Sequence, residues 1–250
     1  MSAVESSIRD SLATVTIDAP PVNALDPDGW FAIRETIVEL SANEDIRAIV
    51  LQGASGRFCA GADISVLAEP QDQTAFMLRI VGEAATAIRG CRVPVIAAID
   101  GPAHGGGLEL ALACDIAVAS SRATFAASGV NMGLIASVPA LTASVGVTRA
   151  SRMLLTSERI DATTAERWSL ITLLDDDPSN RAHELAQTIA SKAPLAVEAN
   201  KAALRSYGSV TSDEYEALVT QLFAELEGTA DHREAVEAFL NKRPPNFGRA

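Results

Sequence analysis

Short apolar runs and amphipathic stretches alternate along the first half of the chain. Residues 12–17 alternate apolar and polar positions, which predicts a strand with one buried face. Three other runs are almost entirely apolar and predict buried strands, at residues 48–52, 95–99 and 116–119. Between the strands, helices are predicted at residues 26–41, where Asp26 and Pro27 form a helix start, at 74–91 and at 108–113. The alternation predicts an α/β fold with crossover connections.

The pattern changes after Val138. Three helices are predicted at residues 140–145, 150–155 and 163–168, and a last strand at residues 170–174. An acidic turn precedes four successive helices, predicted at residues 180–191, 195–206, 212–226 and 231–241. We therefore expect an α/β core domain over residues 1–178 and a helical region over residues 179–250, whose apolar faces favour a role in oligomerisation.

Composition excludes several classes of function. A net charge of −12 argues against general nucleic-acid binding, because phosphate neutralisation needs a basic surface. It leaves open an anionic small molecule that a few local Lys or Arg side chains would meet. Cys59, Cys91 and Cys114 are odd in number and lack metal-ligand spacing, so we expect no disulfide, no metal and a reducing, cytoplasmic location. We expect neither a signal peptide nor a membrane span.

One stretch combines a strand, a Gly-rich turn and a short apolar helix. Gly105, Gly106 and Gly107 follow the strand at 95–99 and allow close approach of a ligand to main-chain N–H groups. Glu109 is the only acidic residue between Asp100 and Asp115, and it lies in the first turn of the helix. A carboxylate in an apolar wall beside a helix N-terminus is a candidate reaction site. Alternatively, Glu109 only complements the helix dipole.

A second corner has the same architecture. Residues 56–64 follow the strand at 48–52 and contain Ala60, Gly61 and Ala62 before a helical turn. Two such corners can each direct one backbone N–H at the same oxygen, which is the design of an oxyanion hole. Alternatively, the small residues only permit tight packing, and Asp63 is an N-terminal cap.

Taken together, the two corners resemble those of the crotonase, or enoyl-CoA hydratase/isomerase, family. The matching segments are residues 21–25, 58–64, 94–98, 104–110, 114–116, 131–134 and 239–247. The resemblance implies a spiral of ββα units with a helical C-terminal trimerisation region, assembled as a homotrimer or a dimer of trimers. It implies an acyl-CoA or enoyl-CoA thioester as substrate and no separate cofactor, since CoA is part of the substrate.

The resemblance also implies roles for individual residues. The backbone N–H groups of Ala62 and Gly106 would bind the thioester oxygen and stabilise an enolate, with Glu109 as the acid–base residue. The substrate-binding residues would be Ala60, Ala62, Asp63, Ile64, Ser65, Gly106 and Gly129. Arg57, Lys242 and Arg243 are candidates for the CoA phosphates or ordinary surface charges.

One catalytic position departs from the family pattern. Family hydratases carry a second glutamate, and its position here falls on Gly129. The neighbouring wall, residues 134–141, is more apolar than in the family. The leading interpretation is an enoyl-CoA hydratase. The alternatives are an isomerase or a hydrolase that uses one glutamate, and a non-catalytic acyl-CoA binder. Further predictions are a structural role for His104 and buried, unreactive thiols at Cys59 and Cys114.

Overall fold

The computed structural model describes residues 3–67 and 71–250, and its strands form three sheets. The strands are β1 Val4–Arg9, β2 Leu12–Ile17, β3 Ala24–Leu25, β4 Ala48–Gly53, β5 Gly61–Ala62, β6 Val95–Ile99, β7 Pro102–His104, β8 Ile116–Ala119, β9 Thr124–Ala126, β10 Ile160–Asp161 and β11 Leu173–Leu174. The large sheet has the order β1-β2-β4-β6-β8-β11; β1 and β2 are antiparallel and the other neighbours are parallel. The smaller sheets are β10-β9-β7 and β3-β5.

The helices follow the predicted order. They are α1 Pro27–Ala42, α2 Ile64–Leu67, α3 Gln71–Gly90, α4 Gly106–Ala113, α5 Val138–Thr156, α6 Ala162–Arg167, α7 Pro178–Ala190, α8 Pro194–Ser206, α9 Ser212–Glu227 and α10 Ala230–Leu240. Asp26 caps α1, since its carboxylate accepts a hydrogen bond from the Gly29 N–H. Predicted as two helices, α5 is interrupted at Gly146, where φ is 77° and ψ is 159°.

The chain repeats one unit four times. A strand of the large sheet is followed by a short strand of a smaller sheet and then by a helix, in the sets β2-β3-α1, β4-β5-α3, β6-β7-α4 and β8-β9-α5, with α2 inserted in the second. This is the spiral of ββα units that the resemblance implies, and that prediction is confirmed. The repeat brings the ends of β5 and β7 together, where both predicted corners lie.

Both faces of the large sheet are covered, which explains its apolar strands. Successive side chains of a strand point to opposite faces. Ile49 and Leu51 of β4 belong to the main core, to which α1 and α3 also contribute. Ala48 and Val50 instead pack with Ala182 and other residues of α7.

The C-terminal helices begin on this sheet, because α7 covers its second face beyond the predicted boundary at residue 178. An ion pair anchors α8: the buried Lys201 Nζ lies 2.7 Å from Asp115 Oδ2 and 2.8 Å from the Val93 carbonyl oxygen. The division at residue 178 stays a prediction. Within residues 3–67 and 71–250, no helix has the length and apolar character needed to cross a membrane.

Candidate active site

A cavity of about 530 Å³ lies between the two predicted corners. The first corner contributes Ala60, Ala62 and Ile64, and the second contributes His104, Gly105, Gly106 and Glu109. The remaining wall comes from α3 and from the segment after β9, including Ser128, Gly129, Asn131, Met132 and residues 134–137. The structure therefore brings together all three residues predicted to be catalytic, and Gly129 faces the same space.

Backbone contacts hold the two corners together. The Cys59 N–H donates to the Pro102 carbonyl at 3.0 Å, and the His104 N–H donates to the Cys59 carbonyl at 3.1 Å. A Cβ at Gly107 would lie 2.0 Å from the Cys59 carbonyl oxygen, so no other residue fits there. Gly61 has a φ of +104°, and a Cβ on it would lie 3.0 Å from the Gly106 nitrogen. Gly61 and Gly107 thus allow the main chains of the two corners to approach closely.

Each corner presents an N–H group at the cavity wall. The Asp63 N–H donates to the Leu25 carbonyl at 2.9 Å. Because successive N–H groups of a strand point to opposite sides, the Ala62 N–H points away from β3. Gly106 is the first residue of α4, where N–H groups have no acceptor within the helix. Both residues line the cavity, as a pair of oxyanion donors requires.

One carboxylate oxygen of Glu109 is unusual for a buried polar atom. Glu109 projects from the first turn of α4, whose Leu108, Leu110 and Ala111 are buried. Its Oε2 atom is buried and has no hydrogen-bond partner among the described residues. An unpartnered buried carboxylate oxygen opposes folding, so a role in the helix dipole alone leaves this atom unexplained. Its position in the cavity fits a group that exchanges a proton with a ligand.

Gly129 lies in a 3-10 turn, Ser128–Met132, across the cavity wall. A Cβ at this position would lie 3.0 Å from the Leu134 carbonyl oxygen and 3.4 Å from the Ala136 nitrogen. The backbone of residues 134–136 therefore occupies the space beside it. Glu109 is the only carboxyl-bearing residue among the described residues that line the cavity.

Two predicted substrate-binding residues lie beside the cavity and are not part of its wall. Asp63 accepts a hydrogen bond from the Ser65 N–H at 2.9 Å, so its carboxylate caps the start of α2. This agrees with the capping alternative for Asp63. A substrate contact for Asp63 and Ser65 stays a prediction.

His104 and the cysteines differ in their access to the cavity. His104 is among the residues that border it, and its Nε2 lies 3.0 Å from Thr124 Oγ1. The structural role expected for His104 stays a prediction. Burial, and secondarily the positive charge of Arg159, lowers the pKa of His104, which keeps the ring neutral at pH 7. Cys59 is buried, and burial raises the pKa of its thiol to about 12. Burial also raises the pKa of Cys114, so both thiols stay protonated, as predicted.

The candidate phosphate ligands lie outside the cavity wall. Arg243 is bound to Glu234 by two contacts of 2.6 and 2.8 Å. Arg57 and Lys242 are exposed, Arg57 on the loop that leads to Ala60. Across the described ranges, no group of three or more His, Cys, Asp or Glu side chains is arranged to hold a metal ion.

The sequence did not reveal the role of Asn23, which supports the first corner through hydrogen bonds. Asn23 is 3% exposed and adopts a positive φ of 55°. Its amide donates to the Arg57 carbonyl at 2.8 Å and accepts from the Ala19 N–H at 2.9 Å. The only signal was its place in the matching segment 21–25, which carries no information about these partners.

Known proteins resemble this chain over almost its whole length. A sequence model of the enoyl-CoA hydratase/isomerase family matches residues 7–250. A short-chain-enoyl-CoA hydratase of Clostridium acetobutylicum is 33% identical over 240 residues, covering 93% of this chain and 92% of that protein. The (E)-benzylidenesuccinyl-CoA hydratase of Thauera aromatica is 34% identical over 252 residues, 98% of each chain. The structure of Pseudomonas aeruginosa DspI superposes with a TM-score of 0.95 at 35% identity, covering 98% of this chain and 97% of that one.

Proposed function

Because the chain belongs to the enoyl-CoA hydratase/isomerase family, we propose that it is an enoyl-CoA hydratase. It adds water across the 2,3 double bond of an enoyl-CoA thioester, or removes it in reverse. The observation that carries the proposal is Glu109, whose buried Oε2 lacks a partner in a cavity that also contains Ala62 and Gly106. A non-catalytic binder gains nothing from this carboxylate, since it opposes folding.

The two corners supply the electrostatic part of the reaction. The thioester oxygen lies between the Ala62 and Gly106 N–H groups and gains negative charge as the enolate forms. Donors fixed by the fold stabilise that charge without reorganising, and one such donor is typically worth about 3 kcal/mol. Ala60 and Ile64 border the same corner. The segment from Ala62 to Ser65 lines the adenine site of CoA in this proposal, largely through its main chain.

Glu109 supplies the proton transfers. Water attacks C3 and gives one proton to the Glu109 carboxylate, while the electron pair of the double bond moves to the thioester oxygen as an enolate. Glu109 then returns the proton to C2, and the enolate collapses to the hydrated thioester. One glutamate thus balances the reaction, and no cofactor other than the CoA of the substrate takes part.

The C-terminal helices carry large exposed apolar side chains, which support the assembly that the resemblance implies. Leu204, Phe223, Phe239 and Leu240 are 73, 70, 84 and 74% exposed. Large apolar side chains at this exposure favour burial against another subunit. We propose a homotrimer or a dimer of trimers, and light scattering at micromolar concentration that reports a monomer would contradict it.

Gly129 favours a second candidate function. Hydration is normally assisted by both an acid and a base, and this site offers one carboxyl. A single glutamate suffices to move a proton between C2 and C4, as in an enoyl-CoA isomerase, or to assist thioester hydrolysis.

A panel of CoA thioesters separates these functions. A hydratase removes the conjugated absorbance of 2-enoyl-CoA substrates, an isomerase creates it from 3-enoyl-CoA, and a hydrolase releases free CoA thiol. We expect loss of absorbance with 2-enoyl-CoA thioesters and none with the free acids. Thiol release or 3-enoyl conversion without hydration would replace the hydratase by the corresponding alternative.

The variant Gly129→Glu tests the missing carboxyl, with Gly129→Ala as its control. Both variants displace the backbone of residues 134–136, because any Cβ lies 3.0 Å from the Leu134 oxygen. Only Glu adds an acid or base, and one such group is typically worth about 10²–10⁴-fold. We expect Gly129→Glu to hydrate faster than Gly129→Ala. Equal rates would mean that the wild-type site is complete without that carboxyl.

A further inference from the structure

One side of the active-site cavity is a face of the helix α3. Met77, Leu78, Val81 and Gly82 all line it. Met77 is fully buried and Leu78 is 38% exposed, so this face runs from the interior toward the mouth of the cavity. Residues one helical turn apart share a face, so Gly82 lies beside Leu78 along this wall. The wall thus contains one position without a side chain.

Gly82 differs from the other glycines of the cavity wall. A Cβ at Gly106 would lie 2.7 Å from Trp30, and one at Gly129 would lie 3.0 Å from a carbonyl oxygen. Gly105 has a φ of +52°. At Gly82 the backbone is helical, and no described atom lies within 4 Å of the place of a Cβ. Glycine is disfavoured in the interior of a helix. Within the described part of the chain, neither backbone nor packing explains why this position lacks a side chain.

The missing side chain leaves space in the cavity. A glycine lines a cavity only through its main-chain atoms, so the cavity reaches the backbone of α3 at Gly82. Helical side chains project outward from that backbone, and Leu78 on the same face also lines the cavity. A larger residue at this position would therefore fill part of the space. The wall also includes Met132, Leu134 and Ile135, and such an apolar wall suits an apolar part of a ligand.

We propose that Gly82 is a specificity-determining residue, which leaves room beside α3 for an apolar acyl chain longer than those of the shortest 2-enoyl-CoA thioesters. The inference rests on the proposed function. With the thioester oxygen at Ala62 and Gly106 and C2 at Glu109, the two corners take up one side of the cavity. The acyl chain beyond C3 then extends along the remaining wall, which α3 and the segment after β9 form. Gly82 sets how much of that chain is buried.

A series of 2-enoyl-CoA thioesters of increasing chain length tests this role. In the wild type, each further CH₂ that is buried should raise kcat/KM up to about fourfold, the equivalent of about 0.8 kcal/mol. Gly82→Leu should lower the ratio of kcat/KM for long chains to that for short chains at least about tenfold. The matched control is Thr86→Leu, one turn further along α3 at an exposed position outside the described cavity wall. It should keep the wild-type ratio. An unchanged ratio in Gly82→Leu would overturn the proposal.

Two further variants separate lost space from a damaged helix. Gly82→Ala should raise Tm by about 2–4 °C, because alanine favours a helix interior. A lower Tm would show that the fold itself requires glycine and would overturn the proposal. Adding Leu78→Ala to Gly82→Leu frees space one turn earlier on the same face and should recover part of the long-chain activity. A double variant as selective for short chains as Gly82→Leu would also overturn it.

Binding of saturated acyl-CoA thioesters, measured by calorimetry, needs no turnover. Affinity should increase with chain length in the wild type and increase less in Gly82→Leu. If no thioester binds and no 2-enoyl-CoA is hydrated, the proposed function itself fails. If short 2-enoyl-CoA thioesters are hydrated while Gly82→Leu keeps the wild-type dependence on chain length, only the role of Gly82 is refuted.

Discussion

The N–H group of Gly106 can be removed without removing the start of its helix. Gly106 is the first residue of α4, and proline is favoured at this position because its fixed φ suits the helix. Gly105 has a ψ of −116°, away from the helical region that a following proline disfavours. Gly106→Pro therefore deletes one predicted oxyanion donor at a helix position that accepts proline.

The matched control is Gly106→Ala, which keeps the N–H. In either variant the new Cβ would lie 2.7 Å from Cζ2 and Cη2 of Trp30. Carbon atoms pack at about 3.5–4.0 Å, so the indole must shift by roughly 1 Å, and overpacking of this kind typically costs about 1–3 kcal/mol. Both variants carry this strain, so their difference reports the loss of the N–H together with the ring carbon that replaces its hydrogen. Loss of one oxyanion donor typically lowers kcat about 10²–10³-fold.

The assay is hydration of a short 2-enoyl-CoA, with Tm measured for each variant. We expect a moderate loss for Gly106→Ala and a further loss of about 10²-fold or more for Gly106→Pro. Affinity for an enolisable thioester should fall in the same order. If the two variants agree within about threefold, a difference below 1 kcal/mol, the Gly106 N–H does not stabilise the transition state.

Two further predictions concern stability. Lys201→Met should lower the free energy of unfolding by about 1–3 kcal/mol in urea titrations, because it leaves the Val93 carbonyl without its buried donor and Asp115 without its ion-pair partner; the exposed Lys192→Met should change it by less than about 0.5 kcal/mol, and equal effects would contradict the role of the ion pair. The hydrogen bonds from Arg243 lower the pKa of Glu234 from its ordinary value of 4.5 to about 2, so this pair stabilises the fold above about pH 4.5 and loses that effect as pH falls toward 2. The Tm difference between wild type and Arg243→Ala should therefore shrink over that interval, and parallel Tm curves would refute the coupling.

Sequence patterns predicted those strands and helices in which the order of apolar and polar residues reflects burial. The strands β6 and β8, and β4 up to Leu51, are apolar because α7 covers the face that the main core leaves open. The outer strand β1 was missed because five of its six residues are exposed, so it carries no apolar pattern. The two- and three-residue strands β3, β5, β7 and β9 were also missed, since contacts between distant segments decide such short pairings.

The site residues likewise fall into those that the sequence indicates and those that only tertiary contacts reveal. The two corners and Glu109 were predicted because small residues and an isolated carboxyl leave a signal in the sequence, whereas the choice of Ala62 and Gly106 as donors came from the family resemblance. The place of His104 beside the cavity depends on the pairing of β7, and a three-residue strand gives no period from which to read it. The crowding of Gly129 by the Leu134 carbonyl is likewise a tertiary contact, invisible in the sequence.

The central claim is that Glu109 moves the C2 proton while the two corners hold the thioester oxygen. Exchange of the C2 proton of a saturated acyl-CoA in D₂O, followed by mass spectrometry, measures this step without hydration. We predict exchange by the wild type and a loss of at least about 10²-fold in Glu109→Gln, which should still bind the thioester in calorimetry. Exchange at the wild-type rate in Glu109→Gln would contradict the claim, because the proton would then be moved by another group.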